Sequence, residues 1–242
     1  MKYTLKTAKP RGTGLNLDED LNPQQRAVVV APPGEILVLA GAGTGKTRTL
    51  IYRVARLVQL GCPPERIMVV TFTNRAAREL VSRVEAVLGV DMRKAAAGTF
   101  HHVGHRILRR HADAMGLSPD FGILDPEDAR DLMAGCIAEE GLPALTARRF
   151  PQAKVLSSVV SLSRGTRRSL HDTIDRRYPR FIDHAPAIER IAERYAQRKR
   201  RLNVCDFDDL LGHWLTLLCD PQFAGIADTL RGNFDHVLVD EY

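Results

Sequence analysis

One stretch of the chain combines glycines with a lysine and a threonine at the spacing of a phosphate-binding loop. Its residues are Ala40, Gly41, Ala42, Gly43, Thr44, Gly45, Lys46 and Thr47. They fit four free residues followed by Gly-Lys-Ser/Thr, with alanine where the usual pattern has its first glycine. The glycines let the backbone turn tightly and aim its N–H groups inward. Lys46 can then reach the β- and γ-phosphates of a nucleotide, and the Thr47 hydroxyl can hold Mg²⁺.

The segments around this phosphate loop (residues 40–47) decide between a site and a glycine-rich turn with an ordinary surface lysine. The apolar run at residues 35–40 predicts a buried strand before the loop. After it, apolar residues recur at helical spacing through Val58, and Gly61 supplies a stop. A helix N-terminus favours an anion. The order strand, loop, helix therefore favours the phosphate site.

A second chemical feature is the pair of acids Asp240 and Glu241, which follows the apolar run at residues 236–239. Asp240 would hold Mg²⁺ directly or through water, and Glu241 would orient or deprotonate an attacking water. Two acids after a strand are common by themselves. Together with the phosphate loop they indicate the two halves of an ATPase site.

The elements that must position these groups read as an α/β domain with an insertion. Residues 67–72 predict a second buried strand, followed by a helix that Thr73 and Asn74 cap and Gly89 ends. Residues 95–100 predict a weaker third strand, with a helix over 101–110. Repeated strand–loop–helix units favour a parallel sheet.

Helical periodicity replaces the strand runs between residues 111 and 202, where helices are expected to begin at Asp125 and to cover about 151–163 and 181–200. We therefore expect four parts in chain order. They are a loosely ordered arm at 1–20, the first part of the α/β domain at 21–110, an inserted helical subdomain at 111–202, and the rest of the α/β domain at 203–242.

The balance of charge suggests an anionic partner, because the net charge is +6 and the sequence pI is about 9.3. The helical block contains a basic cluster of Arg164, Arg167, Arg168, Arg176, Arg177, Arg180, Arg198, Lys199, Arg200 and Arg201. Such a cluster can neutralise nucleic-acid phosphates. The alternative is a solvated helix face, since acids are interspersed, and a mildly basic soluble protein would carry the same net charge.

Metal and membrane signals are weak. The histidines at 101, 102 and 105 lack a cysteine or acid at ligand spacing, so they favour a surface facing solvent or phosphate over a metal site. Four scattered cysteines suit reduced thiols in a cytoplasmic protein, with no disulfide frame and no zinc site. We expect no membrane partner, because no apolar run reaches spanning length and the N-terminus lacks a signal-peptide core.

Taken together, these motifs resemble the N-terminal part of a superfamily 1 DNA helicase of the UvrD/Rep/PcrA type. The segments that match, in family order, are 21–25 (adenine-reading motif), 40–48 (Walker A), 71–77 and 98–101 (two single-strand contact motifs), 206–211 (return from the inserted subdomain) and 239–242 (start of Walker B). The resemblance implies a RecA-like P-loop NTPase fold, an α/β parallel sheet interrupted by an all-helical insertion, that uses ATP and Mg²⁺.

The resemblance also implies roles for particular residues. Gln25 would read the adenine edge and Arg48 would stack on the ring, beside the loop residues already named. Thr47 and Asp240 would hold the metal, with Lys46, Asp240 and Glu241 as the catalytic set. Single-stranded DNA would contact Phe72, Thr73, Asn74, Arg75, Thr99, Phe100, His101 and Phe207. For Phe72 and Phe207 the alternative is a place in the hydrophobic core.

The chain departs from the family pattern after Tyr242, where the family's Walker B motif continues with Gln-Asp. The resemblance places a sensor glutamine, a strand beside the Walker A strand, and a second RecA-like domain with arginine fingers after this point. We therefore expect a piece that holds one wall of an ATP site and part of a DNA track. Its partners would be the C-terminal helicase domains and single-stranded DNA with its single/double-strand junctions.

The expected activity of the parent protein is ATP-driven 3′–5′ translocation and unwinding. The chain alone would bind its ligands weakly, with negligible turnover. Two other readings remain open. One is a non-helicase P-loop ATPase that uses the nucleotide as a switch. The other is a non-enzymatic interaction module whose basic cluster binds an acidic protein.

Overall fold

The computed structural model describes residues 15–142 and 149–241. Contacts divide the chain into two compact units. The sheet unit runs to Val103 and resumes at Asp228, and the helical unit comprises Gly104–Ala227. The boundaries expected near residues 110 and 202 stay predictions.

A three-stranded parallel sheet forms the centre of the sheet unit. Strand β1 (Ile67–Thr71) is buried along its whole length and lies between β2 (Ala96–Thr99) and β5 (His236–Val239). The register pairs Val70 with Gly98 on one side and with Val239 on the other. The carboxyl ends of the three strands therefore meet at one edge. The predicted parallel α/β sheet and these three strands are confirmed.

The helices predicted after the phosphate loop, after Thr73 and over residues 101–110 are present as α3 (Lys46–Gln59), α4 (Asn74–Leu88) and α5 (Phe100–Arg110). The sheet unit also contains α1 (Leu17–Asp20) and α2 (Pro23–Val30), while α5 and α11 (Ala224–Gly232) each continue across a unit boundary. The Thr73 hydroxyl accepts from the Ala76 N–H at 3.1 Å and caps α4, and Gly89 ends that helix in the left-handed region. Both predicted signals are confirmed.

Helix α1 corrects the expectation of a loose arm over residues 1–20. Asn16 caps it, accepting from the Glu19 N–H at 3.4 Å. Leu15 and Leu17 pack against the core of the sheet unit. These contacts order a segment whose polar composition had suggested a loosely ordered arm. The first fourteen residues of the predicted arm lie outside the described residues.

The strand predicted at residues 35–40 is wrong. This segment has no assigned strand structure, and its side chains are exposed, with Leu37 at 72% and Leu39 at 87%. A strand is stable only where a neighbouring strand pairs its N–H and C=O groups. Within the described residues the sheet holds three strands and does not include this segment. The apolar run therefore lacks the ladder that would bury it.

Among its described residues the helical unit contains α6 (Pro126–Glu139), α7 (Ala153–Thr166), α8 (Leu170–Arg177), α9 (Ala185–Leu202) and α10 (Phe207–Cys219). Its core contains Met133, Leu156, Ile174, Ile188 and Ile191, all less than 2% exposed. The helices predicted from Asp125, at 151–163 and at 181–200 are confirmed with bounds shifted by a few residues.

The sequence periodicity missed two parts of this unit. Helix α8 has only eight residues, and β3 (Gly122–Ile123) and β4 (Val204–Cys205) form a parallel pair of two residues each. These segments are too short to show a period. Thus the insertion, expected to be all helical, also contains a small sheet.

One lysine of the basic cluster lies inside the helical unit. Lys199 is 3% exposed, and its ammonium donates to Asp206 at 2.5 Å and to Asp209. Arg164 donates to Asp209 at 2.8 Å, and the Tyr195 hydroxyl donates to Asp206 at 2.9 Å. Burial disfavours the ionised form of Asp206, but the charge and hydrogen bond of Lys199 hold its pKa below the ordinary value. These contacts of Lys199 and Tyr195 thus join α9 to the start of α10.

Replacing Lys199 by methionine should destabilise the fold by about 3 kcal/mol, because it leaves two partly buried carboxylates with Arg164 as their remaining cation. Urea unfolding followed by circular dichroism measures this change. The control is Lys154→Met at an exposed position of the same unit, which should change stability by less than about 0.5 kcal/mol. Equal effects of the two substitutions would contradict a stabilising role for the buried lysine.

Candidate nucleotide and nucleic-acid site

The backbone of the phosphate loop needs glycine at two of its positions. Gly43 has φ +75° and Gly45 has φ +85°, both in the left-handed region that side chains disfavour. A Cβ on Gly45 would also lie 2.7 Å from the Gln25 amide nitrogen. Gly41 has neither constraint, since a Cβ there would meet only Thr44 at 3.8 Å. The loop therefore turns at Gly43 and Gly45, immediately before α3 begins.

Lys46 lies folded over this loop. Its ammonium donates to the carbonyls of Ala40 at 3.1 Å and Gly41 at 3.0 Å, and the Thr44 hydroxyl donates to the Gly41 carbonyl at 2.8 Å. Carbonyl oxygens are weaker partners for an ammonium than phosphate oxygens, because a phosphate oxygen carries a negative charge that adds Coulomb attraction. A phosphate in the loop would compete well for this ammonium.

The acid after β5 meets the helix after the phosphate loop. The Thr47 side chain on α3 lies close enough to the Asp240 carboxyl to lower its pKa. The Asp240 N–H donates to the Val70 carbonyl at 2.8 Å, so the pairing of β5 with β1 continues to this residue. A hydroxyl and a carboxylate placed together are the oxygen ligands that Mg²⁺ prefers. The two residues predicted as metal ligands thus lie close enough to share one ion.

Asp240 sits in an environment that resists its charge. Burial raises the pKa of this carboxyl, and the neighbouring charge of Glu241 raises it further, while Lys46 and the Thr47 side chain oppose the change. Glu241 is exposed and has φ +61°, a left-handed conformation that non-glycine residues seldom adopt. Such backbone strain is concentrated at functional sites.

Gln25 joins helix α2 to the phosphate loop. Its amide oxygen accepts from the Asn22 N–H at 3.1 Å, and its amide nitrogen donates to the Thr44 carbonyl at 3.0 Å. A side-chain amide has two donor hydrogens and two acceptor lone pairs. One donor and one acceptor therefore remain, which is the pair that an adenine edge requires.

The residues predicted to contact DNA in the sheet unit lie at the carboxyl edge of β1 and β2. Phe72 follows β1 and is 79% exposed, so the alternative that it belongs to the core is wrong. Phe100 follows β2 at 39% exposure. The parallel register pairs Thr71 with Thr99, the two residues that precede these phenylalanines. Phe72 and Phe100 consequently follow their strands at equivalent positions along this edge.

Other members of this set lie beside the rings. Asn74 and Arg75 are exposed on the first turn of α4, and His101 is half-buried on the first turn of α5. The Thr99 hydroxyl accepts from the His102 N–H at 3.1 Å, so it caps α5 as Thr73 caps α4. Two helix N-termini, which favour anions, therefore lie along the same edge.

Phe207 belongs to the helical unit and begins α10. It is 43% exposed, whereas Leu210 on the next turn is 1% exposed and belongs to the interior. Phe207 is accordingly partly accessible, between the two alternatives that the sequence left open.

The basic cluster is only partly available to phosphates. Arg176 pairs with Asp172 at 2.8 Å, Arg198 pairs with Glu139, and Lys199 is buried. On α9, Arg190 and Arg194 both pair with Glu140 of α6. Within residues 15–142 and 149–241 no ion pair involves the exposed Arg177, Arg200 or Arg201. Sequence spacing could not separate arginines that join helices from those that face solvent.

The described residues contain neither a cluster of metal-ligating side chains nor a membrane-spanning helix. In that part of the chain, no group of three or more His, Cys, Asp or Glu side chains is placed to hold a metal ion. Ligation by Thr47 and Asp240 would then need oxygens from water and phosphates, as is usual for Mg²⁺. None of the described helices has the length and apolarity required to cross a membrane.

Sequence reasoning missed two residues beside Arg48. Asp20 on α1 and Tyr52 on α3 both contact its guanidinium. The helix-capping Asn16 and the apolar Leu15 and Leu17 were the signals that could have indicated an ordered segment there.

Replacing Asp240 by asparagine should raise stability at pH 7 and remove Mg²⁺-dependent binding of nucleotide. An acid with a raised folded-state pKa ionises less readily than in the unfolded chain, so stability is lost as pH rises above its ordinary value of 3.8. The melting temperature of the variant should therefore increase at pH 7 by at most about 3 °C, with no increase near pH 3.

The control for this prediction has the opposite sign. Hydrogen bonds from Arg93 lower the pKa of Asp91 to about 2, so Asp91→Asn should slightly lower the melting temperature at pH 7. Thermal unfolding of both variants across pH 3–8 tests the pair. A decrease for Asp240→Asn at pH 7 would contradict the assignment of Asp240 as a group whose charge the fold disfavours.

Comparison with known proteins gives the family of the chain. The family described as UvrD/REP helicase N-terminal domain matches residues 21–242. The chain is 36% identical over 239 residues to the ATP-dependent DNA helicase UvrD1 of Mycobacterium tuberculosis, covering 97% of this chain and 30% of that protein. It is 30% identical over 230 residues to the ATP-dependent DNA helicase PcrA of Staphylococcus epidermidis, covering 93% and 30%. The chain thus spans about 30% of the length of these relatives. It belongs to the UvrD/REP helicase N-terminal domain family.

Proposed function

We propose that this chain is the N-terminal ATP- and single-stranded-DNA-binding part of an ATP-dependent 3′–5′ DNA helicase. The observation that carries the proposal is the closeness of the Asp240 carboxyl to Thr47 and Lys46, both of which lower its pKa. It joins the phosphate loop to the acid of a different strand, as a metal-dependent NTPase site requires. The relatives named ATP-dependent DNA helicases support ATP and DNA as ligands.

Each part of the proposed ATP site has a separate task. Backbone N–H groups of the phosphate loop and the Lys46 ammonium would bind the phosphates. Gln25 would offer its remaining donor and acceptor to the adenine, and Arg48 would stack on the ring. Mg²⁺, held by Thr47 and Asp240, would supply positive charge that neutralises the β- and γ-phosphate oxygens. Glu241 would orient the attacking water or accept its proton.

The proposed DNA contacts use the edge that Phe72 and Phe100 share. An exposed aromatic ring can stack on any base, which is worth ~1–3 kcal/mol per base and tolerates any sequence. The N-termini of α4 and α5, with Arg75, would hold the phosphates between stacked bases. Binding at this edge would therefore be insensitive to sequence and sensitive to salt.

We also propose that the chain alone turns over very slowly. In P-loop NTPases an arginine that stabilises transition-state charge is worth 10³–10⁵ in rate. Relatives are about three times as long as this chain, and their C-terminal helicase domains are the proposed source of that arginine. Translocation and unwinding at single/double-strand junctions would then need both parts together.

The function is tested by two binding titrations on the purified chain. Lys46→Ala should weaken binding of a fluorescent ATP analogue with Mg²⁺ by at least about tenfold, because it removes a charge-assisted contact to phosphate. Phe72→Ala should weaken binding of a labelled single-stranded oligonucleotide by about 5- to 100-fold, the equivalent of one lost stacked base.

Matched controls are available on the same unit. Lys94→Ala removes an exposed lysine outside the site, and Leu60→Ala removes an apolar side chain that is 65% exposed. Neither control should change its titration by more than about twofold. Nucleotide binding without affinity for single strands would favour the ATPase switch. Salt-resistant protein binding without either ligand would favour the interaction module, and rapid DNA-stimulated hydrolysis would contradict the slow turnover.

A further inference from the structure

Arg48, the residue proposed to stack on adenine, is held by two residues outside the recognised motifs. Its guanidinium lies 3.5 Å from an Asp20 carboxylate oxygen, and its central carbon lies 5.6 Å from the centre of the Tyr52 ring. Asp20 also lies close enough to Tyr52 to raise the pKa of its hydroxyl. Three side chains from two helices thus form one connected group.

The burial of this group is graded from interior to surface. Tyr52 is 6% exposed, the Asp20 side chain is 22% exposed, and the Arg48 side chain is 50% exposed. Burial raises the pKa of Tyr52, and the neighbouring Asp20 raises it further. The arginine is supported on its inner side and accessible on its outer side.

Helix α1 holds Asp20 in place. Leu15 and Leu17 pack against the core before it, and Leu21 immediately after it is 7% exposed. The carboxylate is therefore tied on both sides by buried apolar contacts. Asp18 on the same helix differs, because its side chain is 79% exposed and pairs with Arg26 at 2.7 Å. The two acids allow a matched comparison.

We propose that Asp20 and Tyr52 are positioning residues that hold the Arg48 guanidinium as a preformed stacking surface for the adenine base. The inference rests on the proposed function. It adds α1 to the base-binding site, although Asp20 precedes the segment that matches the family, residues 21–242.

Physical reasons for this role come from the shape of arginine. A guanidinium is planar and stacks on aromatic faces, so a ring on one side leaves the other face for a base. A free arginine would lose about 0.5–1.5 kcal/mol of rotamer freedom on binding. The carboxylate and ring have already restricted these rotamers. Removing either partner should therefore weaken contacts to the base and leave contacts to the phosphates unchanged.

The test compares a ligand that has a base with one that lacks it. Calorimetric titrations of the full chain use Mg²⁺-ATP and, separately, Mg²⁺ with inorganic tripolyphosphate. Asp20→Asn should weaken ATP binding by about 3- to 10-fold, the equivalent of the rotamer freedom lost again on binding. Tripolyphosphate binding should change by less than about twofold. Tyr52→Phe, which removes only the hydroxyl, should show the same selectivity with a smaller loss.

Controls separate positioning from stability. Asp18→Asn should leave both titrations unchanged, and Asp20→Glu, which keeps the carboxylate, should recover part of the ATP affinity. Equal losses for both ligands in Asp20→Asn and Tyr52→Phe would overturn the proposal, because they indicate a general disturbance of the site. Unchanged ATP affinity in both variants would also overturn it. Failure of the unsubstituted chain to bind either ligand would overturn the proposed function itself, a distinct result.

Discussion

The approach of the Asp240 carboxyl to Thr47 and Lys46 is the contact on which the site depends. It requires β5 to pair with β1 in register, because only then does the chain after Val239 reach the first turn of α3. The same pairing is reinforced at the other end of the sheet, where Arg66 forms two hydrogen bonds of 2.5 Å with Asp235 just before β5 begins. The last strand of the described chain is thus fixed at both ends, and the position of one carboxylate follows from both.

Ion pairs also connect the helices of the helical unit. Its basic residues look like one surface in the sequence, but they divide into arginines that connect α6 with α9, a lysine in the interior, and a smaller set that faces solvent. Buried ion pairs contribute little net stability yet are costly to break, because a single partner left behind is an uncompensated charge. The buried Lys199 pairs hold α9 against the start of α10, whereas the arginine pairs between α6 and α9 are partly exposed.

Local features could be predicted from the sequence, and features that depend on distant neighbours could not. Lys46 and the glycines before it are recognisable because the backbone conformation at Gly43 and Gly45 excludes most side chains. Thr73 indicates the start of α4 because a helix cap acts within four residues. In contrast, the run at 35–40 has the composition of a strand but lacks a neighbouring strand to pair with. The burial of Lys199 depends on ion pairs with two acids seven and ten residues further along the chain. The contact of Asp20 with Arg48 could not be predicted, because it depends on the packing of α1 against the core.

The exposed run before the phosphate loop has a consequence for how the chain behaves in solution. Ile36, Leu37, Val38 and Leu39 are each more than 40% exposed, and Val237 on β5 is 60% exposed. Exposed apolar backbone that no strand pairs is a template onto which another chain can add, and proteins normally cover such edges. At high concentration this surface favours association of copies into aggregates. The chain would then behave best when dilute, or with a segment that covers the run, and the phosphate loop begins at its end.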